Sequence, residues 1–242
     1  MAVALTITPA FAATTSGTSI TIDNIAPTGT NRLLCCTYSI STNQPNRTFT
    51  SMQKGTTDFT TTHQNVVNSY YMGGARSLVN PSTTSETVTA VVSGATDGAV
   101  MGVTGFEGVD QTTPTDTAQT SNGDNTDPTA LSVTTAADDY VWGWLACGWN
   151  GAPAFVLQGD GTEQARLTEN FAVGAIMYHD NASTPTSVEW GAGLGDDSAY
   201  AMGGVNINAS VAGGGRIMSS LANDGGLAGH GGLAGQGGGL AG

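Results

Sequence analysis

Over roughly the first two hundred residues, apolar side chains recur at every second position in short runs. No stretch carries the three-to-four-residue apolar period of an amphipathic helix. Val3, Leu5 and Ile7 alternate ahead of Pro9, which predicts a first strand ending at the proline; Ile20 and Ile22 predict a second, stopped near Pro27. Residues 33–40 predict the first strong central strand, with Leu34, Cys36, Tyr38 and Ile40 on one face and Leu33, Cys35 and Thr37 on the other. A turn around Pro45 and a Thr-rich stretch anchored by Phe49 and Met52 lead to residues 66–72, which return to the core ahead of Gly73-Gly74. Residues 87–92 and 99–106 read as neighbouring strands joined through Asp97-Gly98, a dipeptide suited to a hairpin turn. Beyond Gly105, the segment around Pro114 leaves the core and opens a polar loop that lasts until Leu131.

Residues 131–133, 140–149, 171–178, 187–190 and 200–207 complete the strand pattern. The most aromatic of them places Tyr140, Trp142 and Trp144 on one side and Val141, Leu145, Cys147 and Trp149 on the other. Ten or more short strands separated by turn residues predict an all-β fold: an antiparallel two-sheet β-sandwich of jelly-roll or Ig-like type over residues 1–212. Composition changes sharply after Val211. Residues 213–242 are glycine-rich, with Leu221, Leu227, Leu233 and Leu240 spaced six, six and seven apart. Such a segment has too little side-chain area to offset the entropy of ordering glycine by itself. It predicts an extended arm that orders against a partner, the four leucines forming its sparse apolar seam.

Thirty-five glycines and a charged fraction of 10% fit strands and turns and are unusual for a cytosolic enzyme. A formal net charge of -13 with six Lys plus Arg argues against nucleic-acid binding, which needs cations to displace phosphate counterions, and against adhesion to anionic lipid. Neither partner is expected. Three cysteines make no disulfide framework; adjacent Cys35 and Cys36 point to opposite faces, so reduced core thiols are expected.

The residues offer little catalytic chemistry. Nothing reads G-x-S-x-G, and the three histidines are scattered. The expectation is no enzyme and no resident cofactor, with two binding options. Asp110, Asp124 and Asp127, with Asp138, Asp139, Asp196 and Asp197, could offer oxygen ligands to Ca2+ from loops at the sandwich ends, although no D-x-D-x-D-G loop is present. Tyr140, Trp142 and Trp144 could stack a glycan, or fill the core between sheets.

Three segments carry a resemblance. Asn31-Arg32-Leu33-Leu34-Cys35-Cys36, then Leu78-Val79-Asn80-Pro81 running on to residues 87–94, then Gly108-Val109-Asp110-Gln111-Thr112-Thr113-Pro114 occur in this order. Together they resemble an extracellular β-sandwich module of bacterial and archaeal surface proteins and phage virion proteins, over roughly residues 5–210. The resemblance implies a structural or adhesive building block without conserved chemistry. The "GGGRIMSSL" stretch and the GGLAG repeats look like the termini of phage structural proteins. The N-terminus has small residues near Ala10, Ala12 and Ala13 but no preceding Lys or Arg, so it reads as a strand, not an export signal.

The expectation is a virion component assembled in the host cytoplasm and released by lysis: a capsid decoration protein, or a head or tail fibre subunit of a tailed phage. It would contact copies of itself and other capsid or tail proteins. The alternative is a carbohydrate-binding or adhesive module on a virion or at the cell surface, with a host glycan as partner.

Overall fold

The computed structural model describes residues 1–42, 44–45, 47–124, 128–148, 156–180, 185–191 and 199–210. Among them eighteen strands follow one another and there is no helix. The first half runs β1 (Ala4–Thr14), β2 (Ser19–Ile25), β3 (Leu33–Ser41), β4 (Phe49–Lys54), β5 (Thr57–Asp58), β6 (Thr61–Val67), β7 (Tyr71–Val79), β8 (Glu86–Val92) and β9 (Gly98–Glu107). The second runs β10 (Gln119–Asp124), β11 (Leu131–Val133), β12 (Tyr140–Gly148), β13 (Val156–Leu157), β14 (Thr162–Glu169), β15 (Ala172–Asp180), β16 (Thr186–Val188), β17 (Trp190–Gly191) and β18 (Ala199–Ile207).

The fold is the expected all-β, antiparallel sandwich, and its layering goes beyond two sheets. Two five-stranded sheets, ordered β1-β9-β3-β7-β6 and β10-β18-β12-β15-β14, form the centre. Leu33, Cys35, Phe106, Trp142, Trp144, Ile176 and Val205 fill the space between them. A four-stranded sheet, β2-β8-β4-β5, covers the outer face of the first across Ile22, Leu34, Cys36, Tyr38, Met52, Val88 and Met101. The ribbons β11-β16 and β13-β17 cover the second across Val133, Leu145, Cys147, Met177, Val188 and Trp190. The physical reason lies in the strands themselves. β3 and β12 are buried at every residue, so each needs a core on both faces.

Several expectations are corrected in detail. Pro9 does not end the first strand. β1 runs through it on the sheet edge, with a register irregularity between Ile7 and Ala10, where a residue lacking an N–H is tolerated. β8 and β9 are not a hairpin: β8 pairs with β2 and β4, β9 with β1 and β3. The link between them crosses from one sheet to the other, and its amides donate elsewhere, Thr96 N to Gly17 O and Asp97 N to Ser41 O, both at 2.9 Å. The loop expected after Pro114 contains β10, an edge strand paired with β18. Gly73 and Gly74 lie inside β7, where a side chain at Gly74 would run into the Gln64 carbonyl. The arm at 213–242, with Leu221, Leu227, Leu233 and Leu240, lies outside the described residues.

Candidate functional site

The three segments singled out in the sequence meet at one end of three adjacent strands. β3 is flanked by β7 and β9, with Leu33 opposite both Val79 and Phe106. Each segment carries one residue in the left-handed region at that end: Asn31 (φ 54°), Asn80 (φ 48°) and Gly108 (φ 72°). Asn and Gly are the residue types that adopt this conformation at least cost, which is why they occur where the strands begin or stop. The Arg32 guanidinium then ties the segments together. Its Nε donates to Pro81 O at 2.9 Å, Nη1 to Gly29 O at 2.7 Å and Nη2 to Asn80 Oδ1 at 2.9 Å. Val109 N donates to Asn31 O at 2.9 Å, and Gln111 Nε2 donates to Arg32 O at 3.3 Å.

The third segment also crosses to the second central sheet. Val109 bridges Ala209 and Thr115 bridges Ile207, so the chain after β9 lies along the end of β18. Beside it is a polar cleft of about 520 Å³, lined by Thr113, Thr115, Asp116, Ser132, Thr134 and Asn206 among others. A network of carboxylates and amides adjoins it. Asn206 Nδ2 donates toward Asp116 Oδ2 (3.2 Å), Asp139 Oδ2 (2.9 Å) and Asn208 Oδ1 (2.9 Å). Asn208 Nδ2 donates to Thr113 O (2.8 Å) and Asp116 Oδ1 (2.9 Å), and Asp139 Oδ1 accepts from Ala209 N at 2.7 Å.

The residues proposed from sequence are dispersed. Tyr140, Trp142 and Trp144 lie between the central sheets at 6%, 0% and 0% exposure. The two indoles are 5.0 Å apart, and Trp144 Nε1 donates to Gln64 Oε1 at 2.8 Å. Rings so placed offer no face to a glycan arriving from solvent; of the two options for them, they fill the core. Asp110 Oδ1 accepts from Thr112 N (2.8 Å) and Thr113 N (3.2 Å), so it shapes the turn that leads to the cleft. Asp127 and the Asp124 side chain lie outside the described residues, and no group of three His, Cys, Asp or Glu fit to hold a metal occurs among the described ones. Asp116, Asn206 and Asn208 were not singled out by sequence. They have no motif of their own, and Asn208 reaches Asp116 across 92 residues of chain.

Two further groups are settled by burial. His63 Nε2 lies 2.9 Å from Ser77 Oγ, and its ring packs near Trp142 and Trp144. Desolvation lowers its pKa to about 4. Ser77 is fully buried, so this pair serves packing, with no path for a substrate to the hydroxyl. Cys35, Cys36 and Cys147 are unpaired and fully buried, and burial pushes all three thiols upward, away from the reactive thiolate.

No family model, no curated protein and no solved structure matches the chain.

Proposed function

We propose that the chain is a non-enzymatic structural protein of a tailed-phage virion, a capsid decoration protein or a head or tail fibre subunit. In this reading the layered β body is the folded unit, and the glycine-rich arm at 213–242 joins it to copies of itself and to other capsid or tail proteins. The observation that carries the reading is the burial of the aromatic strand. Trp142 and Trp144 are fully enclosed, so two of the largest side chains among the described residues hold sheets together. The competing class, a carbohydrate-binding or adhesive module, would need a ring on an open face, and the three rings considered for that role lie in the core.

Support also comes from the motif-bearing end. Ser210 N donates to Gly108 O at 2.7 Å, so the last described residue is fastened to the third motif. A body whose exit point is held by main-chain bonds suits an anchor that must transmit load to a following segment. The experiment is proteomics of gradient-purified particles from lysed host cells. The expected outcome is the chain at a fixed copy number per particle. Recovery only in the particle-free soluble fraction, or only at the cell surface, overturns the reading.

A further inference from the structure

A second cleft lies where the N-terminal segment meets the start of β12 and the end of β15. It has a volume of about 360 Å³ and is lined by Val3, Ala4 and Leu5 together with Asp138, Tyr140 and Asp180. Tyr140 and Asp180 stand opposite each other in the β12–β15 register, so they project from the same side of the sheet. Val3 N donates to Asp138 O at 3.0 Å, which fixes the N-terminal segment beside them. Every polar side chain lining the cleft presents oxygen, and no Lys or Arg lines it. Asp180 is exposed and enters no ion pair among the described residues. Tyr140 is 6% exposed, its ring packed against Phe106 and Tyr178 with centroids 5.3 and 5.5 Å away. Its hydroxyl makes no hydrogen bond among the described residues and is not sealed from solvent, so the hydroxyl edge is the part of the ring that opens on the cleft. Burial, then the neighbouring Tyr178 and Asp180, raise the phenol pKa, so it stays a neutral hydroxyl with lone pairs to offer. A mostly buried hydroxyl without a partner, beside a carboxylate, calls for a donor from outside.

We propose that this cleft receives a basic side chain, lysine or arginine, from a partner protein. Its N–H groups would donate to the Asp180 and Asp138 carboxylates and to the Tyr140 oxygen, while its aliphatic stem lies against Val3 and Leu5. The aliphatic part of the lining favours such a side chain over a bare metal ion. No group of three His, Cys, Asp or Glu fit to hold a metal occurs among the described residues, which points the same way. A net charge of -13 draws basic partners toward an acidic recess and speeds their encounter. The Met1 ammonium, close by in sequence, donates to Ser210 O at 2.6 Å rather than to these carboxylates. This inference is independent of the virion reading, since it holds for a basic partner of any origin.

The test is NMR titration of the isotope-labelled full chain with the Nα-acetyl methylamides of arginine and lysine. The norleucine counterpart serves as the neutral control, and methylguanidine as a free cation of the same charge. The expected result is saturable movement of the Val3, Ala4 and Leu5 amide signals with one or both basic probes, and none with the norleucine probe. Asp180→Asn should weaken binding by roughly fivefold. Tyr140→Phe, which removes one oxygen and keeps the ring, should weaken it by roughly threefold. No movement of these signals, an equal response to the neutral probe, or unchanged affinity in Asp180→Asn overturns the proposal. Methylguanidine binding as tightly as the arginine probe would give the cleft to a free small cation and overturn the assignment to a partner protein. Should Asp180→Asn fail to fold, Tyr140→Phe decides the matter, and unchanged affinity there overturns the site.

Discussion

Arg32 and Asn80 hold each other through both main chain and side chain: Asn80 N donates to Arg32 O at 2.8 Å, and Arg32 Nη2 donates to Asn80 Oδ1 at 2.9 Å. The same guanidinium reaches Pro81 O and Gly29 O, so one planar fork serves three acceptors on two segments. A lysine ammonium cannot reproduce that fork. Arg32→Lys is expected to lower stability by about 1–2 kcal/mol, and Arg32→Ala by somewhat more, read by urea unfolding. Equal stability of Arg32→Lys and the natural chain would show that the junction contributes nothing.

Gly203 lies directly across from Trp144 on the neighbouring strand, and a Cβ there would run into the indole ring. Trp144 sits in a closed core and cannot move aside without breaking its bond to Gln64. Gly203→Ala is therefore expected to destabilise by about 1–3 kcal/mol, the usual consequence of overpacking. An unchanged Tm would mean that the interface between the central sheets is looser than its contacts require.

The His63 imidazole has a folded pKa of about 4, below the ordinary value of about 6.5, because burial disfavours its charged form. Its contribution is complete above about pH 6.5 and is lost as pH falls toward 4, where the unfolded chain takes up a proton that the folded chain refuses. The natural chain should lose up to about 3 kcal/mol across that window relative to His63→Gln. Carboxylates titrate equally in both proteins, so the difference isolates His63. Parallel pH–stability curves would show that the imidazole is not desolvated.

The two-faced strands were legible in sequence: residues 33–40 and 140–148 show apolar side chains on both faces, and each was assigned the right residues per face. That same feature carried the information that a third and fourth layer cover the central pair, because a strand apolar on both sides needs two cores. Pairing was harder to read. β8 and β9 adjoin in sequence through a good hairpin dipeptide, yet long-range partners claim both. The motif junction was half legible. Asn31, Asn80 and Gly108 are residue types suited to positive φ, but nothing local says that their strands end side by side. Of the Asp116, Asp139, Asn206 and Asn208 network only Asp139 stood out in sequence; the rest was invisible, since the network is assembled by β18 returning past a turn and a crossover.

Cys36 packs between the first central sheet and the four-stranded sheet, Cys35 between the two central sheets, and Cys147 beneath the outer ribbons. Three separate cores keep them apart, and burial raises each thiol. Alkylation of the native, unreduced chain near pH 8 should leave all three unmodified, and unfolding in denaturant should expose three reactive thiols. A linked Cys36–Cys147 peptide, or fast labelling of the native state, would contradict this placement.

The most direct test of the virion reading compares the full chain with a chain ending after Ala212. Burying one leucine is worth roughly 1.5–3 kcal/mol, so Leu221, Leu227, Leu233 and Leu240 can offset much of the ordering cost of the arm only when a partner supplies surface and hydrogen bonds. The measurement is the occupancy of each protein on gradient-purified particles, quantified beside its Tm. The predicted result is a truncated body that melts like the full chain and is missing from the particles. Truncated protein at the same occupancy as the full chain would contradict the assembly role of the arm.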